Sequence, residues 1–348
     1  MGRAIACDLL LQKDTKQIIL CDKDTKAIHE LPEQNDKRLS IKIVDVRDLS
    51  QVEDTFKDVD AAIGAIHYGF NIDFTKVAIK TKTHFCDLGG NSTVVDAQLQ
   101  LDSEAKKAGI SIIPDCGLAP GLVSVLVKWG VEKFSWIDTV KICVGGLPVN
   151  PQNELKYERL FSLDGLINEY VEPVRVLRNS EIKIVEPLTE IEEVEFKSFG
   201  KLEAFTTSGG VSTLVDTYKG RLRNLDYKTI RYQGHCNAIK ALQKDNLFSK
   251  EYFEKNLPLC TNDVVLVKII FLGSSIGHEL TIIEKAKPHF TAMMRTTAFP
   301  ASIISQMQAR GQIKEIGVQP QERCVPVDIF ISELSKRGIF IQGIQSFY

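Results

Sequence analysis

The sequence predicts an α/β protein in two parts: a doubly wound parallel sheet, then an α+β domain built on a mostly antiparallel sheet. Three observations predict it. Short apolar runs alternate with amphipathic stretches over the first ~120 residues, which is the pattern of βαβ units. Beyond residue 121 that alternation gives way to a series of mainly strand-like runs. The last stretch returns to helical periodicity. A length of 348 residues allows two or three domains, and the pattern places them at 1–121, 122–292 and 293–348. The third is expected to fold back onto the first.

The elements follow in order. GRAIACDLLLQK reads as a helix, with Ile5 and Leu9 four apart and Leu10 beside them. QIILCDKD and SIKIVDVRD are short apolar runs ending in acids, hence buried strands. QVEDTFKDV reads as a helix, DAAIGAIHYG as a strand, NIDFTKVAIKTKT as a helix and HFCDLGGN as a strand. VVDAQLQLDSEAKKAG reads as one helix with a glycine stop, and ISIIPDCG as the next strand. GLVSVLVKWGVEKF reads as a helix opened by Pro120 near its first turn. The strand patterns TVKICVGG, VRVLR, IKIVEP, KLEAFTT, KTIRYQG, VVLVKIIFLG and ELTIIEKAK follow, with SLDGLINEY and HCNAIKALQK as helices between them. PASIISQMQAR and VDIFISELSKRG close the chain as helices.

Composition narrows the function. The 43 Lys+Arg against 45 Asp+Glu leave a net charge of −2, so no basic excess argues for nucleic acid. No apolar run reaches the ~18–20 residues that cross a bilayer, and Asp8 interrupts the N-terminal apolar stretch before it resembles a signal peptide. The 8 cysteines are scattered, without a CxxC pair or zinc spacing, so no metal is implied. They read as reduced thiols of a cytoplasmic protein. No G-x-S-x-G, H-E-x-x-H or G-x-x-x-x-G-K-[ST] motif is present.

In an open parallel sheet, ligands bind beyond the carboxyl ends of the strands. Those ends carry Asp22-Lys23, Asp45-Val46, Ala65-Ile66-His67, Asp87-Leu88-Gly89-Gly90-Asn91 and Asp115-Cys116-Gly117. Each acid also suits a helix cap; several in register favour a cofactor cleft. A dinucleotide fold opens with a strand and G-x-G-x-x-G at the turn into its first helix. Here only Met1-Gly2-Arg3 precedes the helix, and Gly2 fits the third glycine. The first strand and first two glycines are not in this sequence, so Met1 is read as an internal methionine or a cut boundary. Asp22 falls where an acid receives the adenosine ribose hydroxyls, which favours NAD over NADP; Lys23 beside it weakens that preference. Gly89 and Gly90 allow close main-chain approach to a nicotinamide, or simply a tight turn. His67 is either a proton carrier or a surface histidine. In the second domain Glu203 lies between apolar neighbours, and Arg231 ends a strand just before a helix that starts near His235. Arginine suits bidentate capture of a carboxylate, or a surface ion pair.

The segments MGRAIACDLL, HYGFN, DLGGNS, DCGLAPGL, GGLPVNP, FSLDGLINEY, GKLEAF, IRYQGH and MRTTAFPA run through nearly the whole length. With them the chain resembles the saccharopine dehydrogenase-like oxidoreductases, and most of all their L-lysine 6-dehydrogenase branch. The resemblance implies a Rossmann domain, NAD, a homodimer or larger homo-oligomer formed through the substrate domain, and an amino-acid substrate. It implies oxidative deamination of L-lysine at the ε-carbon, giving a semialdehyde that cyclises to piperideine-6-carboxylate, with NADH and ammonia. The nucleotide would contact Met1, Gly2, Asp22, Lys23, Asp45, Val46, Ala65, Ile66, His67, Asn71, Leu88, Gly89 and Gly90. Asp87 and Asp115 would handle the proton or the substrate cation. Arg231 would hold the α-carboxylate and Glu203 the α-amine, with Asn91, Cys116, Gly117 and His235 completing the substrate site. His67 departs from the proline expected in relatives. The alternatives are a saccharopine-type enzyme, whose additional carboxylates would draw on Arg159, Arg175 or Arg223, and a catalytically inactive member with an incomplete fingerprint.

Overall fold

The apolar runs near the N-terminus are parallel strands in the computed structural model, which describes residues 1–24 and 35–347. β1 (Ile18–Asp22) pairs with β2 (Leu39–Ile43) in a two-stranded sheet. β3 (Ala61–Gly64), β4 (His84–Asp87) and β5 (Ser111–Ile113) form a second sheet, closed at its far edge by β14 (Gly317–Val318). The connecting helices are α1 (Gly2–Leu10), α2 (Leu49–Phe56), α3 (Asn71–Thr81), α4 (Ser92–Leu99) and α5 (Asp102–Ala108). Asp48 starts α2 by accepting the Ser50 N–H at 3.0 Å, and Gly109 ends α5 in the left-handed conformation that glycine tolerates. The core packs Val52, Phe56, Phe74, Val77, Phe85 and Ile112, with Phe74 edge-on to Phe56 and Phe85.

The single helix expected over 94–109 is two. Asp102 explains the break, because its Oδ1 accepts the Val318 N–H at 3.0 Å and the Gln319 amide at 3.1 Å. That long-range anchor aims α5 at β14, and no local periodicity encodes it. Pro120 does not open a helix either. It lies in an irregular turn, Leu118–Leu122, and α6 (Val123–Lys133) begins after it.

Contacts divide the chain into one unit of 1–125 with 297–337 and another of 126–296 with 338–348. In the first unit the later helices are tied to the parallel sheet by buried polar groups. Gln308 of α11 (Ala292–Ala309) donates to the Phe85 and Ser111 carbonyls. Asp8 accepts from Ser302 and forms a buried ion pair with Arg337, just past α13 (Val327–Lys336); α12 (Gln321–Cys324) lies between. The helix around Pro300 starts earlier than the sequence suggests, and Pro300 sits inside it.

The second unit carries β6 (Thr139–Pro148), β7 (Val174–Arg178), β8 (Glu181–Val185), β9 (Glu192–Phe196), β10 (Gly200–Thr206), β11 (Asn224–Arg231), β12 (Asp263–Leu272), β13 (Gly277–Lys285) and β15 (Gln342–Phe347). Its sheet runs β15-β13-β12-β6-β11-β10-β9, with the β7–β8 hairpin attached to β11. All pairs are antiparallel except β6 with β11. β15 was not anticipated. It pairs with β13, so 338–348 lie in the second unit whereas 297–337 lie in the first. The helices of this unit include α7 (Leu163–Val171), α8 (Leu214–Tyr218), α9 (His235–Lys244) and α10 (Lys250–Asn256). One core packs Tyr157, Leu166, Tyr170, Phe205, Ile239 and Phe253; the other lies among Leu147, Leu202, Ile230 and Leu266.

Candidate functional site

Two clusters of polar groups stand at strand ends, one in each unit. In the first unit, Asp87 ends β4 with no exposure to solvent. Its Oδ1 accepts the N–H groups of Gly89 (2.7 Å) and Asp115 (3.2 Å), and its Oδ2 accepts the Gln98 amide at 2.8 Å. Burial raises its pKa, and the three donors pull the other way. Such a carboxylate organises the turns after β4 and β5, so it is not placed as the proton carrier expected from the sequence. The backbone agrees, since Cys116 N–H reaches the Asp87 carbonyl at 2.7 Å.

The remaining strand-end residues divide between packing and exposure. Gly89 has φ 70°, and a Cβ there would lie 1.7 Å from Asp115 Oδ1; at Gly90, φ 133°, it would lie 2.7 Å from the Tyr68 ring. Both glycines are therefore demanded by loops in contact. Asp115 itself is left-handed, φ 61°. Asn91 caps α4 through the Val94 N–H, so its expected substrate role gives way to a helix start. Cys116 is fully buried with its thiol on the Ile113 carbonyl, and burial pushes its pKa well up, leaving an inert thiol. Gly117 packs against the Leu88 carbonyl at 3.4 Å from where a Cβ would stand.

The other residues expected at a nucleotide lie at the ends of β1, β2 and β3 and at the starts of α1 and α3. Gly2 opens α1 with its would-be Cβ 4.0 Å from the Ala65 side chain, bringing the first helix to the end of β3. Met1 lies just before it, at the N-cap position of α1. Asn71 starts α3 almost fully buried, and its Oδ1 has no partner among the described residues. His67 is exposed; its ring stacks on Tyr68 and its Nδ1 accepts the Gly69 N–H, the mark of a turn-former. Ile66 is also exposed. Asp22 and Lys23 are exposed at the end of β1, where Asp22 accepts the Asp24 N–H within its own turn. Asp45, by contrast, is held by Arg47, whose hydrogen bonds bring its pKa down to about 2. That pair satisfies Asp45 without an adenine edge. Val46 lies between the two partners.

The second unit builds a tighter constellation around Arg231, the last residue of β11. Its side chain is 3% exposed. The guanidinium lies over the Tyr157 ring at 4.7 Å, donates from Nε to the Tyr170 hydroxyl at 3.1 Å, and reaches the Ile230 carbonyl and Glu169 Oε2 at 3.0 and 3.3 Å. Three of the five guanidinium N–H groups are thus spent, leaving two. His235 fixes the arrangement. Its Nδ1 meets the Leu155 carbonyl at 2.7 Å, which can only accept, so Nδ1 carries the proton. Nε2 then accepts from the Tyr170 hydroxyl at 3.0 Å, and the Tyr170 oxygen accepts from Arg231. Burial, helped by the Arg231 charge, lowers the His235 pKa to about 3, so the ring stays neutral. His235 orients Tyr170 and is not placed as a direct substrate contact.

Glu203 faces Arg231 across the β10–β11 pair, yet its carboxylate turns elsewhere. Oε2 accepts the Gly234 N–H at 2.9 Å and Oε1 the Cys236 N–H at 2.7 Å, the open N–H groups at the start of α9. The role of holding an α-amine therefore does not fit it. The acid that does meet Arg231 is Glu169 of α7, raised to about 7 by burial against the opposing Arg231 charge. Tyr157, Glu169 and Tyr170 were missed in the sequence, although NEY stood inside a quoted segment. Among the described residues no group of His, Cys, Asp and Glu could hold a metal. No described helix is long and apolar enough to cross a membrane, and no two described cysteines form a disulfide.

Residues 1–113 match the family model of the saccharopine dehydrogenase NADP binding domain, and residues 117–339 that of the saccharopine dehydrogenase C-terminal domain. The NADP(+), L-glutamate-forming saccharopine dehydrogenase of Saccharomyces cerevisiae is 25% identical over 234 residues, 64% of this chain and 51% of that protein. The chain spans about half the length of that relative and less of several others. Among solved structures, apo saccharopine dehydrogenase (L-Glu forming) from the same yeast superposes with TM-score 0.79 at 18% identity, over 100% of this chain and 98% of that one. The homospermidine synthase of Legionella pneumophila, solved with NAD, gives 0.73 at 10% identity, over 100% and 88%. These structural likenesses speak to the fold.

Proposed function

The chain belongs to the saccharopine dehydrogenase family, and from that premise we propose that it is a pyridine-nucleotide oxidoreductase acting on the ε-carbon of L-lysine. The observation that carries the reading is Arg231, a buried guanidinium held in place by Tyr157, Tyr170 and Glu169 with two N–H groups left over. A planar fork with spare donors suits one carboxylate. Arg175 and Arg223, considered for further carboxylates, are engaged with Asp216 and Asn179. A substrate with one carboxylate and two amines fits this supply of cations.

The first unit fits a nucleotide. Asn71 Oδ1, buried and unpartnered, is an acceptor awaiting a donor, and the exposed Asp22 carboxylate suits ribose hydroxyls. A carboxylate repels a 2′-phosphate, which supports NAD; the matched family model is that of an NADP binding domain, so Asp22 is the position that decides. When bound, the nucleotide supplies a hydride acceptor. On the protein side, Arg231 anchors the substrate by its carboxylate and the His235–Tyr170 relay holds that anchor still. Hydride leaves only a carbon bearing a neutral amine, and a lysine amine has a pKa of about 10.4, so the rate rises toward alkaline pH. Water then adds to the iminium carbon and ammonia departs.

The test is absorbance at the reduced-nucleotide band, with L-lysine and NAD or NADP as pairs. We expect NAD with lysine to give the signal. Arg231→Ala should raise KM for lysine ~10–100-fold, the range of a lost charged hydrogen bond; an unchanged KM would remove the anchor. A saccharopine-type substrate is the second reading, favoured by Arg159, whose Nε is buried without a partner.

A further inference from the structure

We propose that Glu169 recognises the α-ammonium group of the substrate, beside the carboxylate held by Arg231, and so restricts the site to α-amino acids. The inference rests on the lysine reading above and names a residue for the half of the substrate head that Arg231 leaves unaddressed.

The geometry is that of an incomplete ion pair. Glu169 meets Arg231 through one oxygen at 3.3 Å, longer than the ~2.7–2.9 Å of a well-made charge-assisted hydrogen bond. Its other oxygen has no hydrogen-bond partner among the described residues, and its side chain keeps 24% of its exposure. The neighbouring charged and titratable groups are Arg231 on β11, Tyr170 on α7, Tyr157 in the preceding loop and Tyr227 on β11. Among the described residues no second cation pairs with the Glu169 carboxylate. A cation from the ligand completes it. The zwitterionic head of an amino acid, a carboxylate and an ammonium on one carbon, matches a guanidinium and a carboxylate set side by side. The site's charges cancel, as do those of the head.

Reach decides which amine is seen. The α-amine sits on the same carbon as the carboxylate. The ε-amine lies beyond four more carbon–carbon bonds of about 1.5 Å each. A group touching the Arg231 guanidinium meets the α-amine while the chain stays extended, and the ε-carbon is presented away from this pair. Glu169 is therefore a specificity residue and not the base that frees the reacting amine. Glu203, the other acid opposite Arg231, has both oxygens taken by the start of α9.

The experiment is calorimetric titration of the full chain, nucleotide present, with L-lysine and with 6-aminohexanoate, which lacks only the α-amine. The wild type should bind lysine ~10–100-fold more tightly, the range of one charged hydrogen bond. E169Q should bring the two ligands to similar affinity, raise KM for lysine and leave kcat within a few-fold. E169D, keeping the charge, should retain part of the preference and serves if E169Q does not fold. Equal binding of the two ligands by the wild type, or an undiminished preference in E169Q, overturns the proposal. A fall in kcat with unchanged KM, or a displaced alkaline limb of the pH–rate profile, overturns it in favour of proton transfer. If lysine neither binds nor turns over while a saccharopine-type substrate does, the lysine reading itself falls, a result distinct from the others.

Discussion

Asp87 offers the sharpest separation between a catalytic and an organising carboxylate. Replacing it by alanine strands two backbone donors, the half-buried Gly89 N–H and the buried Asp115 N–H. A buried donor left unsatisfied costs about 1–3 kcal/mol, so the two together cost about 2–6 kcal/mol. Gln98 loses one acceptor but keeps the Thr75 hydroxyl at 3.0 Å. Asp87→Asn is gentler. Its carbonyl oxygen still accepts both backbone N–H groups, and Gln98 can turn its amide so that Oε1, now buried without a partner, accepts from the new NH2. We expect Asp87→Ala to lose about 2–6 kcal/mol in urea unfolding and Asp87→Asn about 1 kcal/mol or less. Turnover of Asp87→Asn should stay within a few-fold of wild type. General acid–base roles are worth ~10²–10⁴-fold, so a folded Asp87→Asn protein with a hundred-fold loss of kcat would refute the reasoning and return Asp87 to the chemistry.

Other expectations follow from the second unit. Glu203→Ala should cost about 1–2 kcal/mol by uncapping α9, seen as a lower urea midpoint, while the ratio of KM for lysine to KM for other ligands stays put. His235, held near 3 against an ordinary 6.5, is neutral when folded and protonates on unfolding. Its contribution is present above pH 6.5 and is lost as pH falls from there toward 3, at up to about 1.4 kcal/mol per unit. Glu169 acts with the opposite sign: raised to about 7, it contributes stability below its unfolded value of 4.5 that is lost as pH rises through 7. The His235 effect is therefore read as the difference between wild type and His235→Gln, which should shrink by about 2 kcal/mol between pH 7 and pH 5.

What the sequence showed and what it hid follow a physical division. The parallel strands were legible because each is a short apolar run with its own turn, readable within a few residues. The α4–α5 break was hidden because Asp102 reaches β14, more than two hundred positions away. Arg231 stood out as a cation at a strand end. Glu203 stood out as an acid among apolar neighbours suited to an α-amine, but its carboxylate is taken by the open N–H groups of α9. Glu169 and Tyr170 meet Arg231 only because α7 packs beside β11, a contact that no spacing announces. Asp87 illustrates the cost of the strand-end rule: the position that presents an acid to a ligand is also where two turns need an acceptor.

The central claim, hydride loss from the ε-carbon of lysine, is tested most directly with L-lysine deuterated at that carbon. The account predicts that deuterium appears on the reduced nucleotide and that the ammonia released carries the ε-nitrogen. Reduced nucleotide without deuterium, or none formed from lysine while a saccharopine-type substrate is oxidised, would contradict it.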